Sequence, residues 1–202
     1  MALTLYDSPG SSNAFKVRFL LAELGLDYER IDVPFARPRP DWYLALNPVG
    51  GIPTLRDVDL TLAESNAILR YLAAREGRAD LYPTDLRARA RIDWLLDAWS
   101  TLVRPAIIPL ERACGLFGDH DAGAAEAARP WTEAVFDSVE QLVADNGAMT
   151  GTFTIADCCA APTLFRSAKL GLPLDFGRWP KLAHIRETVT GRPAFTAAGP
   201  VR

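Results

Sequence analysis

The spacing of apolar residues changes near residue 78, and this change limits the folds that the chain can adopt. Before it, strand-like runs at 2–6 and 27–33 and a hairpin turning at 58–59 alternate with helical patterns at 14–24 and 64–77. After it no strand pattern occurs, and helical patterns cover 86–114, 123–145, 154–170 and 179–190. The sequence therefore predicts an α/β domain at residues 1–78, a linker at 79–85 and an all-α domain at 86–202.

Charge and composition argue against several classes of protein. The 202 residues carry a formal net charge of −3 with no dense cluster of Lys or Arg, which argues against nucleic acid as a partner. No apolar run approaches the roughly 18 residues of a membrane span. Cys114, Cys158 and Cys159 form no disulfide framework, and two distant histidines lack metal-ligand spacing. We therefore expect a cytoplasmic protein without a metal.

Ile52-Pro53-Thr54 opens the predicted hairpin directly after two glycines. A proline at the start of a strand is compatible with a plain trans peptide on a sheet edge and also with a cis peptide. A cis bond would turn the backbone N–H and C=O of Ile52 outward, where an extended peptide could pair with them. The residues by themselves leave both alternatives open.

Glu64 and Ser65 stand at the start of the helical pattern that follows the hairpin. One interpretation is a helix cap, in which Ser65 satisfies free N–H groups and Glu64 complements the helix dipole. The other is a ligand site, in which Ser65 and the N–H groups bind a carboxylate and Glu64 pairs with an ammonium group. An α-amino acid head group presents both charges at that separation.

The segment SPGSSNAFKVR at residues 8–18 poses the same choice at the first helix. Ser11, Ser12 and Asn13 follow a Pro-Gly turn where the apolar helical pattern begins. Serine and asparagine are ordinary helix caps, and they also hold the anion of a ligand.

Five segments together resemble the cytosolic glutathione transferases, in particular their serine-type members. They are SPGSSNAFKVRFLLAELGLDYE, LALNPVGGIPTL, LAESNAILRYL, ARIDWLLDAW and FTIADCCAAPTLF. The resemblance implies that residues 1–78 form a thioredoxin-like domain with a mixed four-stranded sheet, and that Pro53 is cis. It also implies that the Ile52 backbone holds the cysteinyl part of glutathione, whereas Glu64 and Ser65 hold its γ-glutamyl head.

The serine-type motif resembles S-x-N-x-x-[KR], and Ser11, Asn13 and Lys16 match it. A free thiol has a pKa near 8.5, so a hydroxyl donor and helix N–H groups would favour the reactive thiolate. We expect Ser11 to donate to the sulfur, with Ser12 and Asn13 as the alternatives. Tyr6 resembles the tyrosine of other classes, although it lies one residue away from the expected position.

Two further positions qualify the resemblance. Many relatives carry Lys, Arg or Gln before the Ile-Pro pair, where it meets the glycyl carboxylate, but this chain has Gly51. We expect Arg37 or Arg39 to supply that charge, the alternative being two solvated loop arginines. Thr154 to Asp157 match a capping box, so Asp157 is expected to have a structural role.

The resemblance implies an enzyme that transfers glutathione, its co-substrate, to a small hydrophobic electrophile, without a metal and as a homodimer. Three alternatives stay open. One is a glutathione-dependent isomerase of the maleylacetoacetate type, although Asn13 replaces the cysteine of those relatives. The others are a glutathione-dependent disulfide-bond oxidoreductase and a glutathione-binding module without catalysis.

Overall fold

A computed structural model describes residues 3–116 and 118–199 of the chain. It divides into two compact units, Met1–Tyr82 with Arg192–Arg202, and Pro83–Gly191. The break lies inside the predicted linker at 79–85. Within the described ranges, no helix is long and apolar enough to cross a membrane.

The first unit is built on one mixed sheet of four strands. Its elements in chain order are β1 (Leu3–Asp7), α1 (Ser12–Leu24), β2 (Tyr28–Asp32), α2 (Asp41–Leu46), β3 (Thr54–Asp57), β4 (Leu60–Ala63) and α3 (Ser65–Arg75). The strand order is β2-β1-β3-β4, with β1 and β2 parallel and the other pairs antiparallel. This is the predicted thioredoxin-like arrangement, and the predicted mixed sheet is confirmed.

Local signals set the ends of these elements. Gly25, at a φ of 64°, ends α1 in the left-handed conformation that glycine adopts without strain. The N–H of Gly25 donates to the carbonyl of Ala22, so the last turn of the helix is satisfied. Val58 has a φ of 56° in the turn between β3 and β4, where the hairpin was predicted.

The second unit contains only helices among its described residues. They are α4 (Leu86–Ala98), a π-helical segment (Trp99–Val103), α5 (Arg104–Ala113), α6 (Ala122–Leu142), α7 (Ile155–Lys169), a short 3-10 helix (Phe176–Arg178) and α8 (Pro180–Thr190). The π-helical segment interrupts the helical pattern of 86–114 just before Pro105, which has no N–H to donate to the carbonyl four residues earlier. Pro109, by contrast, lies inside α5.

The core of the second unit combines large aromatic side chains with a buried charge cluster. Trp99 and Trp179 are each 1% exposed. Their indole N–H groups donate to Thr163 and Asp137, so each buried ring has its polar atom satisfied. The buried carboxylate of Glu111 pairs with two guanidinium groups, those of Arg104 at 3.1 Å and Arg166 at 3.3 Å.

A last helix, α9 (Pro193–Ala197), belongs to the first unit and differs from the prediction that placed everything up to residue 202 in the helical domain. Phe195 packs edge-on against Phe15 at 4.9 Å and Phe19 at 5.6 Å between ring centroids. Arg18 donates to the carbonyl of Ala198 at 2.8 Å. These contacts of α1 explain the placement, because helical periodicity by itself does not say which partner a helix packs on.

Candidate functional site

The sheet register brings three predicted site segments to one end of the first unit. Tyr6 pairs with Thr54 across β1 and β3, and Thr54 pairs with Ala63 across β3 and β4. Just beyond this row lie the loop into α1, the Ile52-Pro53 segment and the Glu64-Ser65 segment. Residues that are far apart in sequence therefore meet at one edge of the sheet.

The loop after β1 is anchored by a buried carboxylate. Asp7 is fully buried and forms ion pairs with Arg18 at 3.3 Å and Arg30 at 2.8 Å. Its other oxygen accepts from the N–H of Ser8 at 2.5 Å, and the N–H of Ser11 donates to the carbonyl of Ser8 at 2.8 Å. The turn before Ser11 is thus fixed at its start by the Asp7 carboxylate and at its end by the backbone hydrogen bond from Ser11 to Ser8.

Ser11 is the N-cap of α1. Its hydroxyl oxygen accepts a hydrogen bond from the N–H of Ala14 at 3.2 Å, while its backbone is extended, with φ −80° and ψ 114°. A hydroxyl that accepts one such bond still has its own hydrogen to donate. Capping the helix and donating to a ligand are therefore compatible roles for the same oxygen atom.

The neighbouring candidates differ in exposure. Ser12 is 6% exposed and Asn13 is exposed, and in the part of the chain that the structure describes neither side chain makes a hydrogen bond. Tyr6 is 9% exposed and belongs to a hydrophobic cluster with Val33 and Tyr43. Tyr6 accordingly has a packing role in the core.

The Ile52-Pro53 peptide is cis, which confirms the prediction. The residues on either side of this peptide are fixed from the end of α2, because Asn47 donates to the carbonyl of Gly51 at 2.9 Å and to the hydroxyl of Thr54 at 3.1 Å. The hydroxyl of Tyr43 also donates to the Gly51 carbonyl. Within residues 3–116 and 118–199, the N–H and C=O of Ile52 have no hydrogen-bond partner.

The sequence interpretation had missed these supporting residues. Tyr43 lies in α2, and Asn47 is the C-cap of that helix. The available signal was the string NPVGG, because an asparagine before a glycine turn often bonds its own backbone. The side-chain oxygen of Asn47 does accept from the N–H of Val49 at 3.2 Å.

Glu64 occupies the N-cap position of α3 in an uncommon backbone conformation, with φ 69° and ψ 111°. A positive φ is unfavourable for a residue with a long side chain, and such residues concentrate at ligand sites. Glu64 is exposed and makes no capping hydrogen bond, and Ser65 is the first helical residue, 8% exposed. The side-chain hydrogen bond of a cap is therefore absent at Glu64, while its acidic side chain does stand at the N-terminus of the helix, as the dipole part of the cap interpretation expects.

Helix α3 consequently begins without a side-chain cap from Glu64. No acidic side chain lies in its first turn, and the Glu64 side chain does not accept from its N–H groups. The first N–H groups of a helix have no partner within the helix and carry a partial positive charge. The N-terminus of α3 is thus suited to bind an anionic group, with the exposed carboxylate of Glu64 beside it for a cation.

The two loop arginines have different surroundings. Arg39 is 8% exposed and donates to the carbonyls of Gly50 at 3.1 Å, Pro34 at 2.7 Å and Ala36 at 3.0 Å, and also to that of Phe35. Its guanidinium therefore holds its own loop together. Arg37 is exposed and precedes a second cis peptide, Arg37-Pro38.

The two glycines before Ile52 also differ. Gly50 has a φ of 66°, and a Cβ placed there would lie 3.1 Å from Cγ of Arg39, so glycine is required. At Gly51 a Cβ would meet only the amide nitrogen of Asn47, at 3.9 Å. The absence of a side chain at Gly51 is thus not imposed by space.

In the second unit, Thr154 and Asp157 form the predicted capping box at the start of α7, which confirms the motif. The carboxylate of Asp157 accepts from the N–H groups of Met149 and Thr154, each at 2.8 Å. Complete burial raises the pKa of Asp157 to about 6, although these hydrogen bonds act in the opposite direction. Across the described ranges, no group of three or more His, Cys, Asp or Glu could hold a metal ion.

Comparisons with known proteins agree with this geometry. A model of the N-terminal domain of glutathione S-transferases matches residues 1–74. Maleylacetoacetate isomerase of Pseudomonas aeruginosa is 32% identical over 98% of this chain and 96% of its own. Glutathione S-transferase 3 of Zea mays is 36% identical over 96% of this chain and 91% of its own. A theta class glutathione S-transferase from Xanthomonas axonopodis pv. citri, solved with glutathione bound, has a TM-score of 0.86 at 28% identity, covering 100% of this chain and 98% of that one.

Proposed function

The chain belongs to the cytosolic glutathione transferase family, and from that premise we propose that its first unit binds glutathione and that Ser11 holds the thiol as the thiolate. The observation that carries the proposal is the row Tyr6–Thr54–Ala63, beyond which three segments with open hydrogen-bonding groups converge. Each of these segments suits a different part of the tripeptide.

The γ-glutamyl head of glutathione matches the start of α3. Its α-carboxylate binds at the N-terminus of the helix and takes the hydroxyl of Ser65. Its α-ammonium pairs with the exposed carboxylate of Glu64. The support is the absence of any acid from the first turn and of a capping bond from Glu64.

The cysteinyl residue of glutathione matches Ile52. An extended peptide beside the Ile52-Pro53 segment exchanges two backbone hydrogen bonds with the N–H and C=O of Ile52, as an added strand does. The support is that both groups lack a partner in residues 3–116 and 118–199.

The sulfur then lies at the N-terminus of α1. The Ser11 hydroxyl donates to it, and the thiol proton leaves to solvent. The sulfur lone pair forms a bond to an electrophilic carbon, while the leaving group departs with its bonding electrons. No covalent enzyme intermediate arises, so the enzyme acts by orientation and by stabilising the thiolate.

The glycyl carboxylate is assigned to Arg37 in preference to Arg39. Arg39 already donates to four backbone carbonyls, including that of Gly50. Arg37 lies in the same loop and is exposed. The missing side chain at Gly51 makes this contact the substitute for the one that many relatives supply from that position.

A second candidate function is glutathione-dependent isomerisation. It is favoured by the 32% identity, over nearly the whole chain, to the maleylacetoacetate isomerase of Pseudomonas aeruginosa. Asn13 stands where the isomerases carry a cysteine, which favours transfer over isomerisation. Disulfide reduction and binding without catalysis remain predictions from the sequence.

We place the enzyme in the cytoplasm as a homodimer that uses small hydrophobic electrophiles. The support for the compartment is that Cys114, Cys158 and Cys159 form no disulfide. Dimerisation is typical of the family. Light scattering tests it, because a single species of monomer mass would contradict the homodimer.

Retention on immobilised glutathione, followed by conjugation of chloro-dinitrobenzene, tests the proposed function. We expect retention and thioether formation by the wild-type enzyme. Retention with isomerase activity on maleylacetoacetate but no conjugation would favour the second candidate. Retention with disulfide reduction alone would indicate an oxidoreductase, and retention with no activity would indicate a binding module. No retention, with no activity at saturating glutathione, would overturn the proposal.

A further inference from the structure

Asp7 carries a buried carboxylate that the proposed reaction does not use. It is the last residue of β1, its side chain is fully buried, and it stands directly before the loop that contains Ser11. A carboxylate taken out of water is strongly disfavoured unless cations and hydrogen-bond donors face it. Both oxygens of Asp7 therefore need partners.

The two carboxylate oxygens of Asp7 have different partners. Oδ2 lies 3.3 Å from Nε of Arg18 and 2.8 Å from Nε of Arg30. Among the residues that the structure describes, this oxygen makes no hydrogen bond of good geometry. Oδ1 accepts from the N–H of Ser8 at 2.5 Å. Charge thus holds one oxygen, while the directional bond of the other goes to the first residue of the Ser11 loop.

Arg18 gives this carboxylate a fixed partner. It is 1% exposed, and its guanidinium also donates to the carbonyl of Ala198 at 2.8 Å, just after α9. Helix α9 in turn packs on α1 through the ring of Phe195. The position of the Asp7 carboxylate, and with it that of the Ser8 N–H, is therefore set by buried contacts.

A backbone hydrogen bond connects this position to Ser11. The N–H of Ser11 donates to the carbonyl of Ser8 at 2.8 Å, and the Ser11 hydroxyl oxygen accepts from the N–H of Ala14 at 3.2 Å. A displacement of Ser8 would therefore move the Ser11 hydroxyl relative to the start of α1. Because a donor to a reacting anion acts by preorganisation, such a displacement weakens its bond to a thiolate.

We propose that Asp7 is a positioning residue for Ser11, and that its carboxylate keeps the Ser11 hydroxyl directed at the glutathione thiolate. This inference rests on the proposed function. No bond to Asp7 forms or breaks, and Asp7 acts without touching glutathione. The role needs a carboxylate, because an asparagine has a single side-chain oxygen. That oxygen would face either the two guanidinium groups or the Ser8 N–H, and the amide nitrogen would lie against the other donors.

The test is the thiol pKa of bound glutathione in wild type and Asp7→Asn, followed by thiolate absorbance against pH. We expect Asp7→Asn to raise this pKa by about 1 unit and to lower the conjugation rate at pH 6.5 by about 10-fold, with recovery at higher pH. The KM for glutathione should change little, because Ile52 and Glu64 lie on other segments. The charge of Asp7 by itself predicts the opposite sign, since its loss leaves two guanidinium groups that favour an anion. An unchanged or lowered thiol pKa would overturn the inference.

Asp57→Asn is the matched control. Asp57 is a buried aspartate of the same sheet that pairs with Arg75 at 2.7 Å and accepts from the Tyr71 hydroxyl at 2.6 Å. It pairs with Leu3, at the other end of β1 from Asp7. We expect both variants to lower the melting temperature and only Asp7→Asn to raise the thiol pKa. An equal rise in both would show a merely structural role for Asp7.

A double-mutant cycle tests whether Asp7 acts through Ser11. In a Ser11→Ala background, Asp7→Asn should no longer change the thiol pKa, because the hydroxyl that Asp7 positions is absent. A further rise of about 1 unit in that background would overturn the inference.

A milder variant serves if Asp7→Asn does not fold. Arg30 and Arg75 are both half-buried, so Arg30→Gln withdraws one cation from Asp7, and Arg75→Gln is its control. We expect Arg30→Gln to raise the thiol pKa by less than 1 unit, and this rise to vanish in the Ser11→Ala background. A rise that persists there, or no rise at all, would overturn the inference.

The two proposals fail in different ways. If Ser11→Ala leaves the thiol pKa of bound glutathione unchanged, the proposed function fails at Ser11 and the inference fails with it. If Ser11→Ala raises this pKa and Asp7→Asn does not, only the role of Asp7 is refuted.

Discussion

Helices α1 and α7 both begin at a hydroxyl cap, but only α7 also has an acidic side chain in its first turn. The Thr154 cap of α7 is joined by Asp157, whose carboxylate accepts from two N–H groups at 2.8 Å. The Ser11 cap of α1 accepts from Ala14 at 3.2 Å, and no acidic side chain follows in the first turn. A carboxylate of the chain thus joins the hydroxyl cap at the start of α7 and does not do so at the start of α1.

Helix α3 extends the comparison. Its N-terminus has neither a side-chain cap nor an acid in the first turn, and Glu64 is held at a positive φ beside it. The two helix starts of the first unit that lie next to the Tyr6–Thr54–Ala63 row therefore have no acidic side chain within the first turn.

The largest expected effect comes from removing the anion of α7. Asp157→Ala leaves buried N–H groups of Met149 and Thr154 without an acceptor, and we expect it to lower the free energy of unfolding by about 3 to 4 kcal/mol. Chemical denaturation measures this change. In the protein that remains folded, the thiol pKa of bound glutathione should stay at the wild-type value. A large change in that pKa would contradict the separate roles of the α1 and α7 helix ends.

The pH dependence of stability gives a second test of the α7 cap. Burial raises the pKa of Asp157 from 3.8 to about 6, so its contribution to stability is full below about pH 4 and is lost as the pH rises through 6. This rise in pKa corresponds to a change in the free energy of unfolding of about 3 kcal/mol. The free energy of unfolding is measured from pH 4 to pH 7 for wild type and Asp157→Asn. The wild-type value should fall with rising pH more steeply than that of Asp157→Asn. Equal slopes would contradict the raised pKa.

Removing the Ser11 cap of α1 should affect the reaction rate more than the stability of the fold. Ser11→Ala is expected to lower the conjugation rate by about 100-fold, because a preorganised donor to the reacting anion is lost. Its cost in stability should be only about 1 kcal/mol, the usual value of an N-cap. Ser138→Ala, at an exposed serine of α6, is the matched control. Unchanged kinetics would transfer the role to Ser12 or Asn13.

The smallest effect concerns the glycyl carboxylate of glutathione, which the proposed function assigns to Arg37. Gly51→Gln restores the side chain of many relatives in available space, and we expect it to strengthen glutathione binding by about 3- to 10-fold. Calorimetry measures this affinity, and Arg37→Ala should weaken it by a similar factor. Gly50→Gln is the control, since its positive φ and the nearby Arg39 predict a destabilised protein. Equal binding by Gly51→Gln and wild type would show that the glycyl end lies elsewhere.

Much of the fold could be predicted because it depends on local signals. The alternation of β1, the stop at Gly25 and the hairpin around Val58 act over a few residues, and the structure has each of them. The cis peptide before Pro53 came from the family resemblance, since the local pattern allowed both isomers. Candidates within the site were harder to rank, because exposure distinguishes Arg37 from Arg39 and sequence does not report exposure.

The sequence by itself determined the order of strands and helices, the two kinds of unit and the residues with groups suited to glutathione. Only the tertiary structure decided that Tyr6, Thr54 and Ala63 form one row, that α9 packs on α1 and that Glu64 adopts a positive φ. The reason is physical. Periodicity and caps act within a turn or two of chain, whereas register, burial and the balance of charge depend on segments that meet only after folding.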